Sequence, residues 1–155
     1  MERAYFPMFV DITGKKVIVV GGGQIALRRV RTLQKFGADI RVIAPELCGG
    51  FRELEDSGAL KIERRAYRAG DVEGADMVIA ATDSPAVNCQ VHQECKDQGI
   101  PVNTADDHRR CDFYFPSVVM TEEVVIGINS GGENPGKVKE VRREIEEKYL
   151  SGARE

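Results

Sequence analysis

Apolar residues fall into two alternating patterns along this chain. Short unbroken runs mark strands, and longer stretches with helical spacing separate them. The first run, Lys16-Val17-Ile18-Val19-Val20, is apolar throughout after its lysine. A strand covered on both faces of a parallel sheet reads this way. Across 25–36 the apolar positions Ile25, Ala26, Val30, Leu33 and Phe36 recur near the 3.6-residue period, while Arg28, Arg29, Arg31 and Lys35 fill the other face. Gly37 closes that helix. A second strand is predicted over 40–44, ended by Pro45, then a weaker helix over 48–57 and a short strand over 60–63. Residues 64–75 are polar and read as a loop. A strand over 77–81, a helix over 84–98 ended by Gly99, and a strand over 100–103 complete the alternation. Strand and helix in turn, with short links, predict an α/β fold with a parallel sheet and right-handed crossovers.

The pattern changes after Asp106. Two strands are predicted over 113–120 and 124–129, joined by Thr121-Glu122-Glu123. The glycine turn at 130–136 leads to a last helix over 137–150, and 151–155 is expected to fray. The unpaired edges of this strand pair predict that copies of the chain meet there. The expected organisation is therefore a first domain over 1–108 and a shorter dimerisation and substrate-side segment over 109–155.

Composition narrows the function classes. The chain has 155 residues, 42% hydrophobic and 30% charged, with a formal net charge of −3. That is long enough for a core without staples. A general nucleic-acid or anionic-membrane surface needs a basic excess that is absent here. No apolar run reaches the roughly 18–20 residues of a membrane span. The opening Met1-Glu-Arg-Ala-Tyr-Phe-Pro lacks the layout of a signal peptide, so the expected compartment is the cytoplasm. Cys48, Cys89, Cys95 and Cys111 form no C-x-x-C pair and are expected to be reduced thiols, and no metal site is expected.

Val20-Gly21-Gly22-Gly23-Gln24-Ile25-Ala26 carries the strongest chemical signal, a G-x-G-x-x-A pattern at Gly21, Gly23 and Ala26 between a strand and a helix. The first glycine permits the tight turn, the second lets backbone approach a pyrophosphate, and the small alanine lets helix and strand pack closely. This predicts a Rossmann-like, doubly wound sheet that binds a dinucleotide. The acid expected at the end of the second strand is missing: Ala44-Pro45 stand there, with Glu46 two residues late. The ribose is then held by backbone groups or by Glu46, and no arginine obviously awaits a 2′-phosphate, which favours NAD. Thr82 and Asp83 end the fourth strand, where doubly wound sheets bind ligands; the simpler reading of Asp83 is a helix cap. Asp106 follows the fifth strand, where a carboxylate could take a proton while hydride leaves for nicotinamide. Its simpler reading is a turn aspartate bonding its own backbone. His108, beside it, reads as an exposed loop histidine.

Taken together, several stretches resemble the precorrin-2 dehydrogenase and sirohydrochlorin ferrochelatase family, the N-terminal module of siroheme synthases. They are Phe9-Val10-Asp11, Lys16 to Gly23, Val42-Ile43-Ala44-Pro45-Glu46, Ala80-Ala81-Thr82-Asp83 with Asn88, Asn103-x-x-Asp106-x-x-x-x-Cys111-x-Phe113-x-x-Pro116, and Ser130-Gly131-Gly132-x-x-Pro135. The resemblance covers roughly residues 6 to 148. It implies NAD-dependent oxidation of precorrin-2 to sirohydrochlorin, with Asp106 as general base, and iron insertion in bifunctional members. It implies NAD contacts at Gly21, Gly23, Gln24 and Ile25 and at Pro45 and Glu46. It puts Asn103, Ser130 and Gly131 on the tetrapyrrole side, and implies a homodimer. The polar corner at 120–123 departs from the Asp-Arg-Gly turn of relatives. A substrate with eight carboxylates calls for cations; Arg109 and Arg110 beside Asp106, and Lys137, Lys139, Arg142 and Arg143 on the last helix, are the candidates. The plainer reading of that helix is a solvated face balanced by Glu140, Glu144 and Glu146. The competing classes are an NAD-sensing regulatory module without catalysis and an unrelated small NAD(P)-dependent reductase. The former usually keeps the acid after the second strand, and the latter a separate substrate domain.

Overall fold

The computed structural model describes residues 5–150, so the expected fraying of 151–155 lies outside the described residues. Val10–Phe113 forms one compact unit, and the described residues up to Phe9 join those from Tyr114 onward in a second. The division falls at Phe113 rather than after 108 because residues 111–113 are hydrogen-bonded back onto the last strand of the first unit.

That unit is built on five parallel strands: β1 (Lys16–Val20), β2 (Asp39–Ile43), β3 (Lys61–Glu63), β4 (Met77–Ala80) and β5 (Val102–Thr104). Their order is β3-β2-β1-β4-β5. Val20 is in register with Ile43 on one side and with Ala80 on the other. The winding reverses beside β1, as the sequence predicts for a doubly wound sheet. Val17 to Val20 are all buried because helices cover both faces. Helix α1 (Gln24–Gln34) buries Ala26, Leu27, Val30 and Leu33. Ile18, Val20, Val78, Ala80 and Val102 form a cluster with Val91 and Cys95 of α3 (Pro85–Gln98). Each such valine or isoleucine removed from water contributes on the order of 1.5–3 kcal/mol.

In this unit the structure corrects three expectations about helices and strands. The helix over 48–57 is a 3-10 turn, Gly49–Phe51, followed by a short helix α2 (Arg52–Asp56) that buries nothing. Phe51 is the anchor, 1% exposed. A Cβ on Gly50 would stand 2.4 Å from Leu27 Cδ2, so packing against α1 shapes this segment. The fifth strand starts at Val102 because Ile100 N–H is spent on Cys95 O, closing α3 behind Gly99. Pro101 then has no N–H to donate. Arg29 does not share the solvent face of α1; it is half-buried, and burial lowers its guanidinium pKa to about 10.

The polar stretch after β3 is a pinned loop. Arg65 binds Asp71 through two nitrogens at 2.7 and 2.8 Å. Tyr67 donates to Glu94 of α3, which also accepts Gly70 N–H at 2.6 Å. Val72, fully buried, closes the loop onto the core.

In the second unit, β6 (Ser117–Met120) and β7 (Val125–Ile128) pair antiparallel, Ser117 against Ile128 and Met120 against Val125. The first of these strands is shorter than the apolar run 113–120 because Pro116 interrupts it. Helix α4 (Pro135–Tyr149) starts ahead of its predicted position, with Asn134 accepting Lys137 N–H at 2.9 Å and Pro135 in the first turn.

Candidate functional site

Four turns meet along the carboxyl edge of the five-stranded sheet, following β1, β2, β4 and β5. The first is the glycine turn. Gly21 has φ +125 and donates to Ile43 O at 2.9 Å. A Cβ there would lie 2.2 Å from Ala81 O. Gly22, which the motif leaves unspecified, is just as constrained: its Cβ would lie 2.1 Å from Glu46 O. Its carbonyl accepts Cys48 N–H at 2.8 Å, so the turn after β2 wraps onto it. Gly23 differs, since nothing lies within 4 Å of a Cβ built there. It caps α1 without any side-chain hydrogen bond. The first N–H groups of α1 thus lack a side-chain cap, and a helix start of this kind suits an anion. Gln24 is exposed, and Ile25 is 44% exposed despite being apolar.

The second turn holds Pro45 and Glu46, both exposed. Ala44, buried where the usual acid would stand, donates its N–H to Glu63 O at 3.1 Å.

The third turn, after β4, is tied by Asn88. Its side chain is buried and accepts from Thr82 N at 3.1 Å and from Thr82 Oγ1 at 2.7 Å, while its amide donates to Thr82 O at 3.1 Å. The Thr82 hydroxyl thus serves the turn itself. Ser84, not Asp83, caps α3, accepting Val87 N–H. Asp83 is left exposed at the edge.

The fourth turn carries Asp106. Ala105 N–H donates to Ala80 O at 2.9 Å, and Thr104 Oγ1 donates to Asp107 O at 2.8 Å. Asp107, not Asp106, is the turn aspartate: it accepts Arg109 N–H at 3.1 Å and caps the 3-10 turn His108–Arg110. Its carboxylate also holds Arg109 Nε at 3.0 Å and Arg110 Nε at 3.4 Å. The Arg109 hydrogen bonds keep Asp107 below the usual carboxylate range. Asp106 is exposed, with no hydrogen bond or ion pair among the described residues. His108 is exposed as expected.

The return path anchors this loop. Thr104 N–H donates to Cys111 Sγ at 3.3 Å. Asp112 takes both ladder groups of Val102, its N–H donating to Val102 O at 2.9 Å and its carboxylate accepting Val102 N–H at 3.1 Å; Lys96 Nζ adds a contact at 2.7 Å. Asn103, 3% exposed, donates to Phe113 O at 2.8 Å, and its Oδ1 has no partner among the described residues.

Ser130 and Gly131 belong to the second unit. Ser130 Oγ accepts Asn134 N–H at 3.1 Å, and Gly131, with φ +68, donates to Asn129 Oδ1 at 2.8 Å. Lys137 pairs with Glu140 at 3.0 Å and Arg142 with Glu146 at 2.8 Å, while Lys139 and Arg143 are exposed.

The sequence reading thus identified the four turns but missed three residues that shape them. Gly22 sits inside the motif as an unspecified position. Asn88 appears only as a member of a resembling stretch, and Asp107 is masked by its neighbour Asp106.

A parallel sheet wound both ways from its first strand, with a bare helix N-terminus behind a glycine turn at its carboxyl edge, defines a dinucleotide-binding protein. A family described as putative NAD(P)-binding matches residues 8–117. Among curated relatives, the probable multifunctional siroheme biosynthesis protein HemA of Ruminiclostridium josui is 40% identical over 141 residues, covering 90% of this chain and 27% of that protein. The siroheme synthase of Pseudomonas entomophila is 38% identical over 142 residues, covering 92% of this chain and 31% of its own. The chain therefore spans under a third of the length of these relatives. Among solved structures, SirC, a precorrin-2 dehydrogenase, is similar with a TM-score of 0.79 at 28% identity, over 94% of this chain and 71% of that one. The chain belongs to the putative NAD(P)-binding family.

Proposed function

We propose that this chain oxidises precorrin-2 to sirohydrochlorin with NAD, a step of siroheme biosynthesis. The observation that carries the reading is the pairing of two features on one sheet edge: the open Gly23 turn after β1 and the exposed Asp106 carboxylate after β5. With β4 between them, the two strand ends lie roughly 10 Å apart across the sheet. The similarity to siroheme synthases and to a precorrin-2 dehydrogenase structure supports the choice of substrate.

The residues present fit the dinucleotide. Gly23 leaves the space that a side chain would fill, and the N–H groups of α1 hold the pyrophosphate. Ile25 packs against it, Pro45 and Glu46 flank the adenosine ribose, and Thr82 and Asp83 border the nicotinamide end. When bound, NAD supplies the hydride acceptor. Asp106 takes the proton that the tetrapyrrole bridge loses. The loop that carries it is held at Ala105, Thr104 and Cys111, which limits the freedom of the carboxylate. Asp107 holds Arg109 and Arg110 beside it, where their exposed guanidinium groups meet the carboxylates of the substrate. Asn103, Ser130 and Gly131 are the further substrate-side residues of this reading, and its active form is a homodimer.

The second unit supports dimerisation. Among its described residues from 117 onward only Val119 and Gly131 are buried, and Phe6, Met8 and Phe9 are 88%, 72% and 75% exposed. A two-stranded sheet is marginal alone. A sedimentation mass equal to one chain would overturn the dimer.

The activity is tested by mixing the protein anaerobically with precorrin-2 and NAD and following the absorption spectrum. A sirohydrochlorin spectrum is expected, with Asp106→Asn at least roughly a hundredfold slower while NAD binding is retained. Ferrous iron, added afterwards as substrate, reads out metal insertion against a protein-free control. Binding of NAD with no oxidation would overturn the enzyme reading in favour of an NAD-sensing module.

A further inference from the structure

We infer that Asn88 is a positioning residue for the cofactor, acting through the turn that carries Thr82 and Asp83. The inference rests on the reading that a dinucleotide binds along this edge. At Thr82 the chain leaves the sheet: Ala81 N–H still donates to Val20 O at 2.8 Å, but β4 ends at Ala80. The backbone groups of Thr82 have left the ladder, and the side chain of Asn88 takes both. Its Oδ1 accepts Thr82 N–H at 3.1 Å and its Nδ2 donates to Thr82 O at 3.1 Å. The same Oδ1 accepts from the Thr82 hydroxyl at 2.7 Å, and that hydroxyl accepts Ser84 N–H at 3.2 Å. One amide 1% exposed, fixed to the first turns of α3, thus sets where the exposed Asp83 stands.

This role demands a group that donates and accepts at once, which among side chains of this shape only an amide does at neutral pH. An ionised carboxylate accepts alone; a protonated carboxylic acid donates and accepts like the amide. Asn88→Asp is therefore the same size as Asn88 and switches between competent and incompetent forms. Burial raises the carboxyl pKa and the Thr82 N–H and hydroxyl oppose that rise, so the pH series runs from about 4 to about 9 to cross the switch.

The experiment titrates NAD against wild type, Asn88→Asp and Asn88→Ala at a series of pH values, with a thermal melt at each. Each variant is expressed as a ratio to wild type, so that pH effects common to all three proteins drop out. For Asn88→Asp the NAD Kd is expected near wild type at the acid end, rising at least tenfold as the carboxyl ionises. For Asn88→Ala it is expected to be raised at every pH. If Asn88→Ala fails to fold, Asn88→Asp still decides the matter. A ratio for Asn88→Asp that does not change with pH, or variants that melt lower yet bind NAD as wild type does, would overturn the positioning role. Wild type that does not bind NAD would overturn the dinucleotide reading itself, and this inference with it.

Discussion

The three consecutive glycines after β1 should respond very differently to the same added methyl group. In Gly21→Ala the new Cβ meets Ala81 O at 2.2 Å, and the residue must hold φ at +125. The obstructing oxygen belongs to backbone joined to β1 by the Ala81 N–H to Val20 O bond, so it can retreat only by opening the β1–β4 seam. Backbone strain of this kind costs about 1–3 kcal/mol and overpacking about as much again, giving roughly 2–6 kcal/mol in total. Against an ordinary stability of about 5–15 kcal/mol, this should lower Tm by roughly 10 °C or leave the protein unfolded. Gly22→Ala belongs in the same class, because its Cβ would lie 2.1 Å from Glu46 O. Gly23→Ala has no atom within 4 Å and should fold, losing about 0.5–1 kcal/mol for a poorer helix cap. On the proposed reading its methyl group takes up space that the pyrophosphate needs, so NAD affinity should fall at least tenfold. Thermal melts and NAD titrations of the three variants provide the comparison. A Gly21→Ala protein as stable as wild type would refute the steric reasoning, and a Gly23→Ala protein with wild-type NAD affinity would refute the pyrophosphate assignment.

Other consequences can be measured directly. Arg65 holds the Asp71 carboxyl below its ordinary value, so this pair stabilises the fold above the unfolded pKa of 3.8 and loses that contribution as pH falls through the lower folded value. Acid unfolding should therefore be less steep below about pH 4 in Asp71→Asn than in wild type; equal slopes would refute the linkage. Burial, aided by Glu94 and Asp112, pushes the Cys95 thiol up to about 12, whereas Cys89 on the same helix is exposed. A thiol reagent at neutral pH should label Cys89 well before Cys95, by mass spectrometry of the digested protein, and early labelling of Cys95 in folded protein would contradict this. Ser84→Ala removes the cap of α3 and should cost about 1 kcal/mol in chemical denaturation, while Asp83→Ala should cost almost nothing.

How much of this was legible beforehand follows from the range of the forces involved. β1, α1 and the glycine motif were readable because burial on both faces and helical period are written in adjacent residues. The edge of the sheet was readable too, since strand ends are marked by Pro45, Asp83 and Asp106. Pairings between distant side chains were not. That Gly22 is needed depends on Glu46, more than twenty residues away, turning back over it. That Asp107 and not Asp106 closes its turn depends on which carboxylate the 3-10 turn presents to Arg109 N–H, a choice that two neighbouring aspartates leave undetermined. Asn88 carried no local signal of its role, since a polar residue on a helix normally faces water. The weaker helix predicted over 48–57 shortens because Gly50 packs closely on Leu27, more than twenty residues away, which local sequence does not show.

Asp112 has a consequence for how copies of this protein coexist. β5 is the last strand of its sheet, and such an edge ordinarily offers a ladder onto which a foreign strand can add. Here one residue imitates a neighbouring strand, with its N–H on Val102 O and its carboxylate on Val102 N–H, while Lys96 neutralises the charge thus introduced. An incoming chain would have to displace both bonds and face an ion pair before its first backbone contact. The Asp112 contacts that anchor the return path behind Asp106 therefore also act as a guard against edge-to-edge polymerisation at high protein concentration.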